Sequence, residues 1–289
     1  TAGDGITWVL DSEGTLTISG TGEIITSWYS PPWSEYNDSI TSIVVEEGIT
    51  EVPDTAFADS KNLVTVSLPS TLTYISGMAF YQNFALEEIV VAEENTEYKS
   101  IDGILFTEDE KTLVAYPMNK TGEEYTIPAS VTTIGKFGFA SNVSLKALII
   151  PDTVTVLERD ALAYIKIDTI VFGNGITEIP EDCVAYSVTK TVVISDSVKT
   201  IASSAFYGAD RLETIIFGSG VEEIGSYVFN NPQYLSAVHY KGTEEDWKKI
   251  TIDEPNDSFN SKAVHFLKED SYKAGKAPSC ADGHTEGYF

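Results

Sequence analysis

The chain has 289 residues, 42% of them hydrophobic, with 44 acidic against 18 basic side chains for a net charge of −26. A field of that sign repels nucleic acid and anionic membrane surfaces and keeps copies of the chain apart, and no apolar run approaches the ~20 residues of a membrane-spanning helix. Two cysteines, Cys183 and Cys280, are too few for a disulfide framework. Because the chain begins at Thr1 without Met, it reads as a processed or trimmed segment, and a missing leader carries no information.

Residues 1–39 stand apart from the rest of the chain. ITWVLD (6–11) and GTLTISG (14–20) alternate polar and β-branched residues around Asp11-Ser12-Glu13-Gly14, which predicts a β-hairpin. Trp8, Trp28 and Trp33 lie nearby. Stacked repeats leave an apolar end that needs covering, so the segment reads as an N-terminal cap. The competing reading is a sugar-stacking platform of exposed aromatics such as Trp28, Trp33 and Tyr36.

From residue 40 onward the sequence repeats. Isoleucine-like residues at Val52, Ile75, Ile134, Leu157, Ile179, Ile201 and Ile224 have spacings of 23, 59, 23, 22, 22 and 23. A bulky column at Phe57, Phe80, Phe139, Leu162, Val184, Phe206 and Phe229 has the same spacings in the same order. Two columns with one rhythm define a repeat protein. The unit is L-x-x-I-x-L/V, a Pro/Gly turn, V/L-x-x-I, then x-x-A-F. The first piece predicts a strand with one face inward, ended by Pro or Gly. The V-x-x-I piece predicts a second short extended run. The A-F segment predicts one helical or 3₁₀ turn with its Phe inward. One such unit cannot bury both its faces alone, so stability requires stacking.

LEEIVV (86–91) opens a third copy and YTIPASVTTIGKFGF (125–139) resumes it, so the spacing of 59 reads as one repeat plus 36 extra residues. Within the insert (92–124), DGILFT and TLVAYP flank Glu108–Lys111 and predict a hairpin. Two readings stay open for it, a functional loop or a constant decoration of the scaffold. Regular copies fill 145–234. Cys183 stands in the small-residue column and reads as a packed core thiol. Residues 235–266 read as a C-terminal cap, with a helix over 243–250 capped by Thr243 with Asp246 three residues on and a final strand at 263–266. His239 and His265 read as edge-of-core histidines, since neither has a carboxylate or Cys at ligand spacing. The polar, Gly-rich tail 267–289 carries Cys280 and His284, two of the four ligands that a closed zinc site needs.

The unit resembles the BspA-type (Treponema pallidum-type) leucine-rich repeat, LxxIxLPxxLxxIGxxAFxxC, carried here by LVTVSLPSTLTYISGMAF, YTIPASVTTIGKFGF and LETIIFGSGVEEIGSYVF. Residues 40–244 carry the pattern. GDGITWVLDSEGTLTISGTGEI and YKSIDGILFTEDEKTLVAYP are similar to segments that accompany such repeats in surface proteins of gut bacteria. CADGHTEGYF resembles the beginning of a further Cys-rich module, which would make the tail the start of a truncated module in a longer protein. The resemblance implies a β-rich leucine-rich-repeat solenoid, right-handed, with a parallel concave sheet, short 3₁₀ or helical turns and an N-terminal β-hairpin cap. It also implies adhesion and binding in place of catalysis. Leu162 and Val184 replace the Phe, and the family's Cys after the Phe is absent.

In a leucine-rich-repeat strand the residues between the inward apolar ones face the concave side. One such column is Val44, Ser67, Val90, Thr126, Ile149, Val171, Val193 and Ile216, an apolar stripe that marks an interaction site if exposed. A second is Ser42, Thr65, Glu88, Glu124, Ala147, Thr169, Thr191 and Thr214. Two plainer readings of the stripe stay open: strand propensity alone, or cover by the insert hairpin. No G-x-S-x-G, phosphate-loop or dinucleotide pattern occurs, and no catalytic residue, metal or cofactor is assigned. The expectation is a non-catalytic surface or secreted module, extracellular or on the bacterial cell surface, that recognises a host or neighbouring-cell protein through the repeat sheet. The alternative is a carbohydrate-binding or spacer module of a larger surface protein, with a glycan as ligand. Contact with nucleic acid and membrane insertion by this segment are not expected.

Overall fold

The computed structural model describes residues 2–26, 30–230 and 232–267. The chain coils into a β-solenoid. Each regular repeat contributes a strand of three or four residues in which alternate side chains point inward, as the pleat requires. Ile43 and Val45, Val66 and Leu68, Ile170 and Phe172, and Ile215 and Phe217 are all buried in this way. A two-residue strand comes next, such as Glu178–Ile179 or Glu223–Ile224, again with the isoleucine buried. Between repeats the strands pair in parallel and in register, for example Thr169 with Thr191 and Thr191 with Thr214.

The A-F segment departs from the expected helical turn. A 3₁₀ turn forms only at Gly77–Phe80, capped by the Ser76 hydroxyl, which accepts from the Met78 amide. Elsewhere two residues in the left-handed region bracket the A-F pair. Asp160 and Tyr164, Asp182 and Tyr186, and Thr55 and Asp59 do so with φ between 56° and 61°. A helical turn would use its amides within the repeat. The bracketed turn points them at the next repeat: Leu162 N donates to Cys183 O at 2.8 Å, and Val184 N to Ala205 O at 2.8 Å. The column before the bulky residue is small because this edge is crowded. Ala56, Ala161, Cys183 and Ala205 have no exposed surface, and a Cβ on Gly138 would stand 2.9 Å from Gly135 O and from Ile134 Cγ2.

The hairpin at the start forms as expected. Thr7–Leu10 pairs antiparallel with Thr15–Ser19, which then pairs in parallel with Ser42–Val45 and so begins the concave sheet. Asp11 fixes the turn by accepting from the amides of Glu13 and Thr15 at 2.8 and 2.9 Å. Trp33 is not a platform. It is fully buried, with its indole N–H donating to Ala56 O at 2.9 Å and its ring 6.3 Å from that of Trp8. A large apolar ring with one donor is held where both parts are satisfied. Trp28 lies outside the described residues, and Tyr36 is exposed.

The insert is not an appendage. Its hairpin, Ile104–Thr107 with Thr112–Ala115, forms as expected and gains a third strand, Tyr98–Ile101. Thr112–Ala115 then pairs in parallel with Thr133–Ile134, placing Leu113 opposite Ile134. Leu113 is therefore a missing member of the isoleucine column. The spacing of 59 divides at it into 113 − 75 = 38 and 134 − 113 = 21. Buried apolar residues fall into two clusters, and the hairpin feeds both. Leu105 and Ala115 belong to the N-terminal cluster, while Ile104, Phe106, Leu113 and Tyr116 belong to the C-terminal one.

The concave sheet is correspondingly two sheets. The first runs from Thr7–Leu10 to Glu88–Val91 and the second from Ala147–Ile150 to Val264–Phe266. The insert closes the edge of the first: Ile89 N donates to Gly103 O at 2.9 Å, and the Ser100 hydroxyl donates to Ile89 O at 2.6 Å. At the far end Thr243 caps a helix as expected, accepting from Asp246 N at 3.1 Å, but the helix spans only Glu244–Trp247. Thr251–Ile252 extends the short-strand sheet beyond Glu223–Ile224. Asn256 then satisfies the last regular repeat, with Nδ2 donating to Gly225 O at 2.8 Å and Oδ1 accepting from Phe229 N at 3.3 Å.

Candidate functional site

The concave stripe forms, in two parts. In the first sheet Thr17, Val44, Ser67 and Val90 stand in register. In the second the row is Ile149, Val171, Val193, Ile216, His239 and His265. Val90 and Ile149 are 43% and 41% exposed, and Val44, Ser67, Val171 and Val193 are half-buried. The insert therefore does not fold over these residues. Ile149 at 41% exposure keeps apolar surface in water, and Val171 and Val193 continue the row half-buried.

Two members of the column do not belong to this face. Thr126 is exposed but lies in no strand. The neighbouring Tyr125 ring packs 4.9 Å from Tyr116 and 6.2 Å from Phe139, and the segment enters the core without joining the ladder. Glu124, in the second column, is also outside any strand. Ile216 is fully buried, held between its register partners Val193 and His239. The usable face is thus Val44, Ser67 and Val90 on one side of the break and Ile149, Val171 and Val193 on the other.

Polar groups border the second patch. Thr169, Thr191 and Thr214 form a half-buried hydroxyl column beside it. Outside them lie ion pairs, Lys190 with Asp168 at 2.6 Å and Lys146 with Glu123. An apolar centre inside a polar rim is the arrangement of protein–protein interfaces.

A second surface is hidden from the sequence. On the turn edge Tyr81 stands 5.4 Å from Tyr164, Tyr164 stacks on Tyr186 at 5.2 Å with planes 11° apart, and Tyr186 meets Tyr207 edge-on at 5.5 Å. Burial and the neighbouring Tyr81 push the Tyr164 hydroxyl up to about 12. The row crosses the interrupted repeat. No single sequence column shows it, because two of the tyrosines come directly after the bulky residue and two come at the second position after it.

Cys183 is fully buried, and desolvation pushes its thiol far above the ordinary range, so it holds its proton and packs as an apolar group. No group of three or more His, Cys, Asp or Glu able to hold a metal occurs among the described residues. An apolar cavity of about 10 Å³ beside the insert, lined by Phe80, Tyr81, Leu86 and Tyr116 among others, has room for about one water. Burial and the adjacent His265 hold His239 below the usual imidazole range. No helix among the described residues is long and apolar enough to cross a membrane. Cys280 and His284 lie outside the described residues.

The profile of the BspA type leucine rich repeat region matches in six copies over residues 35–113 and 115–236. Among solved structures, the chain is similar to a leucine-rich repeat protein from Eubacterium ventriosum (20% identity, TM-score 0.52, covering 99% of this chain and 98% of that one). It is also similar to a leucine rich cell surface protein from Faecalibacterium prausnitzii (19%, TM-score 0.57, 88% and 98%). A third similar structure is the pneumococcal vaccine antigen PcpA (19%, TM-score 0.57, 79% and 68%). At these identities the likeness is one of fold. No curated protein matches the chain.

Proposed function

The chain belongs to the BspA-type leucine-rich repeat family, whose members are generally non-catalytic repeat scaffolds for interaction, and from that premise we propose that it is a surface or secreted binding module that recognises a protein partner through its concave sheet. The observation that carries this reading is the in-register row Ile149, Val171 and Val193, partly exposed on a parallel sheet and bordered by threonines and ion pairs. A surface location agrees with two of the similar folds, a cell surface protein and a vaccine antigen by their descriptions. Adhesion to a host or neighbouring-cell protein is the corresponding role. No catalytic part is assigned to the module in this reading, in keeping with its family.

The second reading, a glycan-binding module, rests on the tyrosine row Tyr81, Tyr164, Tyr186 and Tyr207, since Tyr186 remains 49% exposed. One experiment separates the two. The wild type and a triple variant, Ile149→Asp, Val171→Asp and Val193→Asp, are screened against matrix proteins, mucins and a glycan array after their melting curves are shown to agree. Binding of a protein by the wild type and its loss in the folded variant is the expected result. Equal binding by both, or glycan binding lost only in Tyr186→Ala, overturns the concave-face reading.

A further inference from the structure

The stripe ends on two histidines that are 26 residues apart in sequence and adjacent in space. His239 and His265 are register partners on parallel neighbouring strands, Ala237–Tyr240 and Val264–Phe266, so both side chains leave the same face of the sheet. Their ring centroids are 5.5 Å apart with planes tilted by 40°. We propose that this pair is a chelating site for a divalent transition metal of the zinc, copper or nickel class.

Geometry supports the assignment. Imidazole nitrogen binds zinc at about 2.0–2.1 Å, and the ring centre lies about 1 Å behind the nitrogen, so two imidazoles at a tetrahedral angle have centroids about 5 Å apart. The observed separation is within a side-chain adjustment of that value. The rings are already neighbours, so little has to be ordered when the ion arrives. Imidazole selects transition ions of this class over calcium and magnesium, which prefer oxygen.

A second observation points to a missing ligand. His239 Nδ1 is buried and makes no hydrogen bond. A ring nitrogen removed from water without a partner carries an unrecovered desolvation cost. A metal ion bound at Nδ1 would recover it. The net charge of −26 raises the local concentration of divalent cations around the whole chain. Because His265 is exposed, the site opens to solvent. Two protein ligands leave coordination positions for water or for a group brought by a partner. This site stands or falls independently of the concave-face reading.

The test uses the full chain, which contains three histidines. Nickel and zinc are each titrated by calorimetry, with the histidine ring protons followed by NMR. The expected result is one equivalent bound, with the His239 and His265 signals moving together. His265→Asn, an exposed change that leaves the fold in place, lowers affinity about tenfold or more, as does His239→Asn, whereas His284→Asn leaves it unchanged. An excess of calcium does not displace the ion. No binding by the wild type, affinity that survives His265→Asn, displacement by calcium, or loss with His284→Asn or Cys280→Ser in place of the paired residues would each overturn the assignment.

Discussion

If the insert is a splice between two cores, its two central residues should act on opposite halves of the molecule. Leu105 and Phe106 are adjacent in sequence and fully buried, yet Leu105 packs in the N-terminal cluster and Phe106 in the C-terminal one. Alternation along a strand puts them on opposite faces. Leu105→Ala should cost about 2–5 kcal/mol and Phe106→Ala about 3–5 kcal/mol, since both leave a cavity that the surroundings fill only in part. Glu108→Ala, at the exposed hairpin turn, should change stability by less than about 0.5 kcal/mol. Urea denaturation gives the magnitudes, and hydrogen exchange gives the location. Leu105→Ala should loosen amides around residues 75–91, and Phe106→Ala those around 127–157. Changes below about 0.5 kcal/mol in both variants would return the insert to a surface decoration. Loosening of the same half by both would refute the two-core assignment.

The turn edge supports two other expectations. Ser204 sits at φ 61°, where a side chain is strained by about 1–2 kcal/mol; Ser204→Gly removes more strain than the chain entropy it adds and should stabilise by about 0.5–1 kcal/mol, whereas Ser204→Val should destabilise, both read from melting curves, and a less stable glycine variant would contradict the strain argument. Burial first, and then the neighbouring Asp182, raise the Asp160 carboxyl above its ordinary range. The folded chain therefore holds that proton more tightly than the unfolded chain, and stability is lost as pH rises from about 4 through the folded-state value. Asp160→Asn should melt higher than the wild type at pH 7 and show a flatter dependence as pH rises from about 4. A lower melting point at pH 7 would mean that the contact with Arg159, 3.7 Å away, outweighs desolvation.

The parts of the fold that repeat are legible in the sequence because each column states one demand many times. Inward isoleucines and the A-F pair recur with one spacing, and the structure buries them together. The insert misleads for the same reason. Leu113 fills an isoleucine position, but the surrounding hairpin breaks the rhythm, so counting assigns all the excess to one copy. The turn conformation escapes the pattern because the residues that hold it, Thr55, Phe137, Asp160 and Tyr227 among them, share no side-chain type. Their left-handed backbones are imposed by hydrogen bonds to the next repeat, which no single unit contains. Val171 and Val193 stand in register and half-buried on the sheet face where the pattern puts them. The pattern fails at Ile216 and Thr126, where burial and strand formation depend on neighbours across the sheet. The His239–His265 pair and the tyrosine row are likewise products of stacking.

The break in the concave sheet also bears on how the molecule carries load. Tension along the solenoid axis pulls strands apart across their ladders, so bonds open one repeat at a time and resistance is set locally by how many cross each junction. Between Glu88–Val91 and Ala147–Ile150 the long ladder is absent. The two halves are joined there by the short pairing of Thr112 and Leu113 with Thr133 and Ile134, by scattered bonds such as Val143 N to Met118 O, and by the shared hairpin. At this junction load therefore passes from the long ladder to the insert, whose buried side chains pack into both cores.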